Sequence, residues 1–197
     1  MSNIESPFPQ FSFFHGPITN KRPRVTLTLV DVYRGLTTKY YEKTTQKLRE
    51  SSSPEIRRKV KQTLDYVTFA GTFSMRKNEG LISKSGYVCI DFDHIEPKMM
   101  NEIKTLLLND NMFETQLLFI SPSGTGLKWI VEVDLISFPE YEINFRGIVA
   151  YLRGTYSKHF NESCDYIDET GKDVSRACFL CYDPKAYINP KYTSHGR

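Results

Sequence analysis

The stretch SGYVCIDFDH, residues 85–94, decides the fold. Its middle, Tyr87 to Asp91, is short, apolar and rich in strand-forming residues, which predicts a buried strand. The strand ends in two aspartates separated by Phe92. Strand side chains alternate faces, so Asp91 and Asp93 share one face and Phe92 takes the other. Two close carboxylates repel, and each raises the pKa of the other unless a cation lies between them. Hard oxygen ligands of this kind suit Mg2+ or Mn2+. For a DxD taken alone, two acids facing water is the simpler reading.

Working outward, Pro97 to Asn109 has helical spacing, with Met100, Ile103, Leu106 and Leu107 on one side. QLLFIS (116–121) predicts a second strand and LKWIVEV (127–133) a third. SPSGTG between them is a turn, dense in Gly, Pro and Ser. Residues 140–160 predict a long amphipathic helix, and ACFLCY (177–182) a last strand. The order β-α-β-β-α-β predicts an α+β fold, an RRM-like or ferredoxin-like palm. YVTFAGTF (66–73) is expected as an extra strand on that sheet. In this plan the first and third strands are antiparallel neighbours, and the last strand flanks the first.

Before the palm, residues 1–25 are expected to be an irregular arm. Residues 26–65 predict two or three helices, with Pro54 in a first turn after Ser51-Ser52-Ser53. The palm is expected over 66–190 and a tail over 191–197. Basic residues crowd the helical segment against few acids. Arg57, Arg58 and Lys61 could follow a nucleic-acid backbone there, although a solvated helix face would look the same. The net charge of +3 does not by itself call for such a partner.

No apolar run approaches a membrane span, and MSNIESPFPQ lacks the pattern of a secretory signal, so a cytoplasmic protein without a membrane partner is expected. The four cysteines, Cys89, Cys164, Cys178 and Cys181, are then expected as reduced thiols. Cys178 and Cys181 form a CxxC, but three residues apart on a strand they face opposite sides, so core thiols fit better than zinc ligands.

The predicted plan gathers polar residues at one sheet edge. The end of the first strand, with Asp91 and Asp93, meets the starts of the third and fourth. Ahead of the third lie Ser121, Ser123, Gly124, Gly126 and Lys128, where glycines allow close approach and backbone N–H groups can cradle phosphate. Ahead of the fourth lie Asp165, Asp168, Asp173 and Arg176. An acid among them could complete a metal site, and Arg176 could grip a phosphate. An ordinary hairpin turn and a solvated loop are the plainer readings. Their convergence with the DxD points to phosphoryl or nucleotidyl transfer.

VTFAGTFSMR (67–76), SGYVCIDFDH (85–94), SPSGTGLK (121–128) and DVSRACFLCYDPKAYIN (173–189), in this order, resemble the archaeo-eukaryotic primase superfamily. More narrowly, the chain resembles the primase-like N-terminal domain of VirE N-terminal type carried by bacterial mobile-element and phage proteins. The resemblance runs from about residue 26 to residue 190. It implies metal ligation by Asp91 and Asp93, completed by Asp168, whose spacing to Arg176 matches the family pattern; Asp165 and Asp173 are the alternatives. It implies nucleotide contacts from Ser121, Ser123, Gly124, Gly126, Lys128 and Arg176, with Arg76 as a helper. Lys128 stands where histidine is usual in the superfamily.

The leading expectation is a DNA-directed primase or polymerase using two Mg2+ or Mn2+ ions, nucleoside triphosphates and a single-stranded template or primer-template. A catalytically weak nucleic-acid-binding module that recruits a helicase or ATPase is the alternative from another class. A nucleotide cyclase is the third.

Overall fold

The computed structural model describes residues 8–137, 139–160 and 165–193; Cys164, the first seven residues of the expected arm and the last four of the expected tail lie outside them. The described part of the arm is not wholly irregular. It holds strand β1 (Phe11–Phe14), and β2 (Val25–Leu27) begins at its end. Three helices follow: α1 (Leu29–Thr37), α2 (Glu42–Glu50) and α3 (Pro54–Gln62). Then come strands β3 (Tyr66–Thr68), β4 (Gly71–Phe73), β5 (Leu81–Lys84) and β6 (Tyr87–Phe92). Helix α4 (Met100–Leu108), β7 (Thr115–Ile120), β8 (Leu127–Glu132) and α5 (Tyr141–Thr155) complete the palm pattern, and β9 (Cys178–Phe179) and β10 (Tyr187–Ile188) close the chain.

The fold is α+β, with antiparallel sheets. The main sheet has the order β10-β7-β8-β6, and a second has the order β2-β1-β3-β9. The core of the palm plan is present, with β6 and β8 as antiparallel neighbours and β7 beyond β8. The last strand is placed differently from expectation. Cys178 and Phe179 pair with Val67 and Tyr66 of β3 in the second sheet. Beside β6 lies instead the segment that precedes β9, through a bridge between Phe92 and Ile167. The expected single strand over 66–73 is likewise two strands: β3 joins the second sheet, and β4 pairs with β5 in a separate two-stranded sheet. Apolar alternation identifies a strand but not which edge it joins, and here the N-terminal strand β1 offers β3 a partner that periodicity does not reveal.

Alternation on β6 and β8 divides the core. Val88, Ile90 and Phe92, with Leu127, Trp129 and Val131, pack under Ile103 and Leu107 of α4 and Phe145, Ile148 and Leu152 of α5. The opposite face, with Tyr87 and Ile130, packs against Leu29, Val32 and Leu36 of α1 and against Phe11 and Val67 of the second sheet. Asp91 and Lys128 lie on that opposite face by the same alternation. Helix α1 starts three residues later than the pattern suggests because Thr28 caps it. The Thr28 side chain accepts from the Asp31 amide, and the Asp31 carboxylate accepts from the Thr28 amide at 2.9 Å.

The sequence from β1 to α3 is therefore part of the core rather than an appendage. Phe11 is fully buried, in contact with Phe69 at 4.9 Å between ring centroids. Phe11→Ala is expected to cost about 3–5 kcal/mol of stability, the scale for emptying a buried phenylalanine site. Urea unfolding measures it; a loss under about 1 kcal/mol would show that β1 is not packed in the core.

Candidate metal and phosphate site

The β6–β8 register puts Asp91 directly across from Lys128 and Phe92 across from Leu127. The Lys128 ammonium pairs with Asp91 Oδ2, and both residues are buried, at 5% and 8% exposure. Asp91 Oδ1 is also buried and has no hydrogen-bond partner among the described residues. A lone pair left in that state is costly unless a ligand takes it up.

The ligand set is at hand. One carboxylate oxygen from each of Asp91, Asp93 and Asp168 lies within 4.8 Å of the others. Asp91 and Asp93 are brought together by strand alternation. Asp168 arrives because its segment zips onto β6: its amide donates to the Asp91 carbonyl at 2.8 Å, and the Asp93 amide donates to the Tyr166 carbonyl at 2.7 Å. The two alternatives are engaged elsewhere. Asp165 pairs with Arg153, and Asp173 accepts from the Ser175 amide and hydroxyl at 2.9 and 3.1 Å.

Arg176 donates to Asp168 Oδ2 at 2.7 Å, and Thr170 donates to Oδ1 through its amide and hydroxyl. Burial raises the Asp168 pKa, but the Thr170 bonds and the Arg176 charge outweigh it and hold the carboxyl below its ordinary value. Burial lowers the Lys128 ammonium, and Lys61 and Arg176 push it the same way. Lys61 reaches this side of α3, its ammonium 5.7 Å from the centre of the Phe179 ring. Two of the three acids thus each carry a paired cation, Lys128 on Asp91 and Arg176 on Asp168.

The turn before β8 is tied to the loop that follows Asp93. The Gly124 amide donates to the Ser121 carbonyl at 2.9 Å, closing a turn with Pro122 in its second position. Gly124 has φ +81°, which suits glycine, and a Cβ on Gly126 would sit 2.0 Å from the Phe92 carbonyl. The Thr125 carbonyl accepts from the Ile95 amide at 2.8 Å, fixing the turn to the loop after Asp93. The Ser121, Ser123 and Thr125 hydroxyls are hydrogen-bonded in a row at 3.0 and 3.1 Å. Arg57 reaches the Ser123 carbonyl at 3.5 Å, so the basic helix adjoins the turn; Arg58 is exposed.

Arg76 is not brought to the triad. It donates to the Tyr66 hydroxyl at 3.2 Å and the Ile18 carbonyl at 3.3 Å, and it lies over the Tyr66 ring. The CxxC thiols have separate surroundings, although β9 is shorter than the expected strand and holds only Cys178 of the two. Cys181 donates to the Ile120 carbonyl at 3.2 Å, and burial pushes its pKa up to about 12. Cys178 instead lies beside the buried Cys89 thiol, and their interaction lowers the Cys178 pKa and raises that of Cys89.

Two site residues had no clear sequence signal. His94, right after the DxD, has φ +59°, a left-handed conformation that costs about 1–3 kcal/mol in a non-glycine residue. Arg49 of α2 donates to the carbonyls of Ser121 and Pro122. Only a three-dimensional partner distinguishes it from the other basic residues of its helix.

Fold and site together define an antiparallel α+β domain with an aspartate triad at a sheet edge, its Asp93 loop bonded to a glycine-containing turn. The chain belongs to the family described as BT4734-like, N-terminal domain, whose model matches residues 59–188. That span holds the triad, Lys128, Arg176 and the turn, while β1, β2, α1 and α2 precede it. No curated protein and no solved structure matches the chain.

The buried pair gives a direct test. Lys128→Met alone leaves the Asp91 carboxylate buried without its cation and is expected to cost about 3–5 kcal/mol in urea unfolding. Adding Asp91→Leu removes the stranded charge and should recover most of the loss. A single variant as stable as the parent would show that the ion pair does not form.

Proposed function

We propose that the triad holds one Mg2+ or Mn2+ ion and that the domain performs or assists template-directed nucleotidyl transfer. The observation that carries this reading is the buried Asp91 side chain, whose Oδ1 lacks a hydrogen-bond partner among the described residues and which lies with one carboxylate oxygen within 4.8 Å of oxygens of Asp93 and Asp168. Three carboxylates are a hard donor set that fits these cations. The reading takes one ion rather than the two that the primase resemblance implies, because the Lys128 ammonium already occupies Asp91 Oδ2. The bound ion would supply Lewis acidity toward phosphate oxygens.

The remaining roles fall to the chain. Asp91, Asp93 and Asp168 bind and orient the ion. Lys128 keeps Asp91 charged within the fold. The turn over 121–126 presents hydroxyls and backbone N–H groups to a phosphate, and Arg176 adds a positive charge beside Asp168. Arg57, Arg58 and Lys61 would follow a single-stranded template toward the triad.

A second reading is favoured by the same Lys128–Asp91 pair, which neutralises one acid where the primase superfamily usually carries a histidine. It is a nucleic-acid-binding module with little catalysis, recruiting a helicase or ATPase. Primer extension with Mn2+ separates the two. The transfer reading expects nucleotide incorporation that depends on template and disappears in Asp93→Ala. Binding of DNA with no incorporation under any metal would leave the module reading in its place.

The basic helix has its own test. Replacing Arg57, Arg58 and Lys61 with Gln should lower the log–log salt slope of single-strand DNA binding by about 2, at roughly 0.7 for each lost phosphate contact. Equal slopes for variant and parent would return α3 to a solvated face.

A further inference from the structure

We infer that Arg49, on a helix outside the matched family span, is a positioning residue that sets the 121–126 turn for a phosphate group. The inference rests on the nucleotide reading of the site. Its evidence is the way that α2 holds the turn. Arg49 donates from Nε to the Pro122 carbonyl at 3.3 Å and from Nη2 to the Ser121 carbonyl at 3.1 Å. Its side-chain stem packs under the turn: a Cβ on Gly124 would meet Arg49 Nε at 3.3 Å and Cδ at 3.4 Å.

The consequence follows from peptide geometry. In a trans peptide the C=O and the following N–H point in opposite directions. With the Pro122 carbonyl held toward Arg49, the Ser123 N–H is directed away from α2. Arg57 holds the Ser123 carbonyl on the helix side as well. One planar guanidinium with several donors in fixed positions grips two successive carbonyls, which a lysine ammonium cannot match with the same geometry. The opposite side of the turn is tied to the loop after Asp93 through Ile95 and Thr125. Arg49 therefore fixes how far the turn stands from the triad without touching a bound ion itself.

The test uses the full chain, Arg49→Ala and Arg49→Lys. Amide hydrogen exchange over residues 121–126 reads the turn. Calorimetry with ATP and Mn2+ reads the phosphate site, and thermal melting reads global stability. In Arg49→Ala the Gly124 amide should exchange at least tenfold faster and ATP affinity should fall about tenfold, while the melting temperature changes little. Arg49→Lys should recover part of both losses. Unchanged exchange, or unchanged ATP affinity despite a loosened turn, overturns the role of Arg49 while leaving the nucleotide reading standing. If the parent itself binds no ATP in the presence of Mn2+, the nucleotide reading fails, and with it any phosphate role for the turn.

Discussion

The antiparallel register between Tyr87–Phe92 and Leu127–Glu132 is the constraint from which the rest follows. It pairs Asp91 with Lys128 and Phe92 with Leu127. A slip of β8 by one residue against β6 would turn Lys128 into the helix-covered face, carry Trp129 out of it and part Lys128 from Asp91. That face is filled by fully buried Trp129, Phe92 and Phe145, so the slip would lose several large side chains at once. The apolar packing under α4 and α5 thereby fixes the position of a charged site to which it contributes no polar atom. The hydrogen bond from Trp129 Nε1 to the Thr115 hydroxyl, at 2.7 Å, holds the same register from the β7 side.

Burying a lysine and an aspartate together is a poor way to gain stability, because desolvation of both ions offsets most of their attraction. A tightly packed apolar pair would serve the sheet as well or better. The charged pair makes sense as a support for something else. It keeps one Asp91 oxygen neutralised and leaves the other without a hydrogen-bond partner among the described residues, in a side chain grouped with Asp93 and Asp168. The segment bearing Asp168 is fixed by backbone bonds on both sides of Phe92, so the third carboxylate is positioned by the sheet edge rather than by a loose loop. Arg176 then balances Asp168 as Lys128 balances Asp91.

Much of this was legible in the sequence, for specific reasons. Strand alternation is enough to place Asp91 and Asp93 on one face, and the palm plan is enough to bring Lys128 and the 121–126 turn beside them. The choice of Asp168 over Asp165 and Asp173 came from the resemblance in spacing, and the structure brings Asp168 to the pair. What stayed hidden depends on pairing partners. The aromatic residues of the N-terminal stretch gave no hint that Phe11–Phe14 is a strand, because four residues are too few to show a period. With β1 unseen, nothing indicated that Tyr66–Thr68 and Cys178–Phe179 would assemble on it in a second sheet. Arg76 read as a site residue from its motif, yet the aromatic face of Tyr66 holds it. Arg49 read as one of many surface cations, and its role depends on a contact more than seventy residues away.

The central claim is that the three aspartates form one cation site. Electron paramagnetic resonance of Mn2+ in the presence of the protein measures it most directly, since free Mn2+ gives a strong signal that binding broadens away. The account predicts that one equivalent of Mn2+ is bound by the parent chain and that Asp93→Asn and Asp168→Asn each weaken this binding substantially. Mn2+ bound equally well by the parent and by the Asp93→Asn, Asp168→Asn double variant, or not bound by the parent at all, would contradict it.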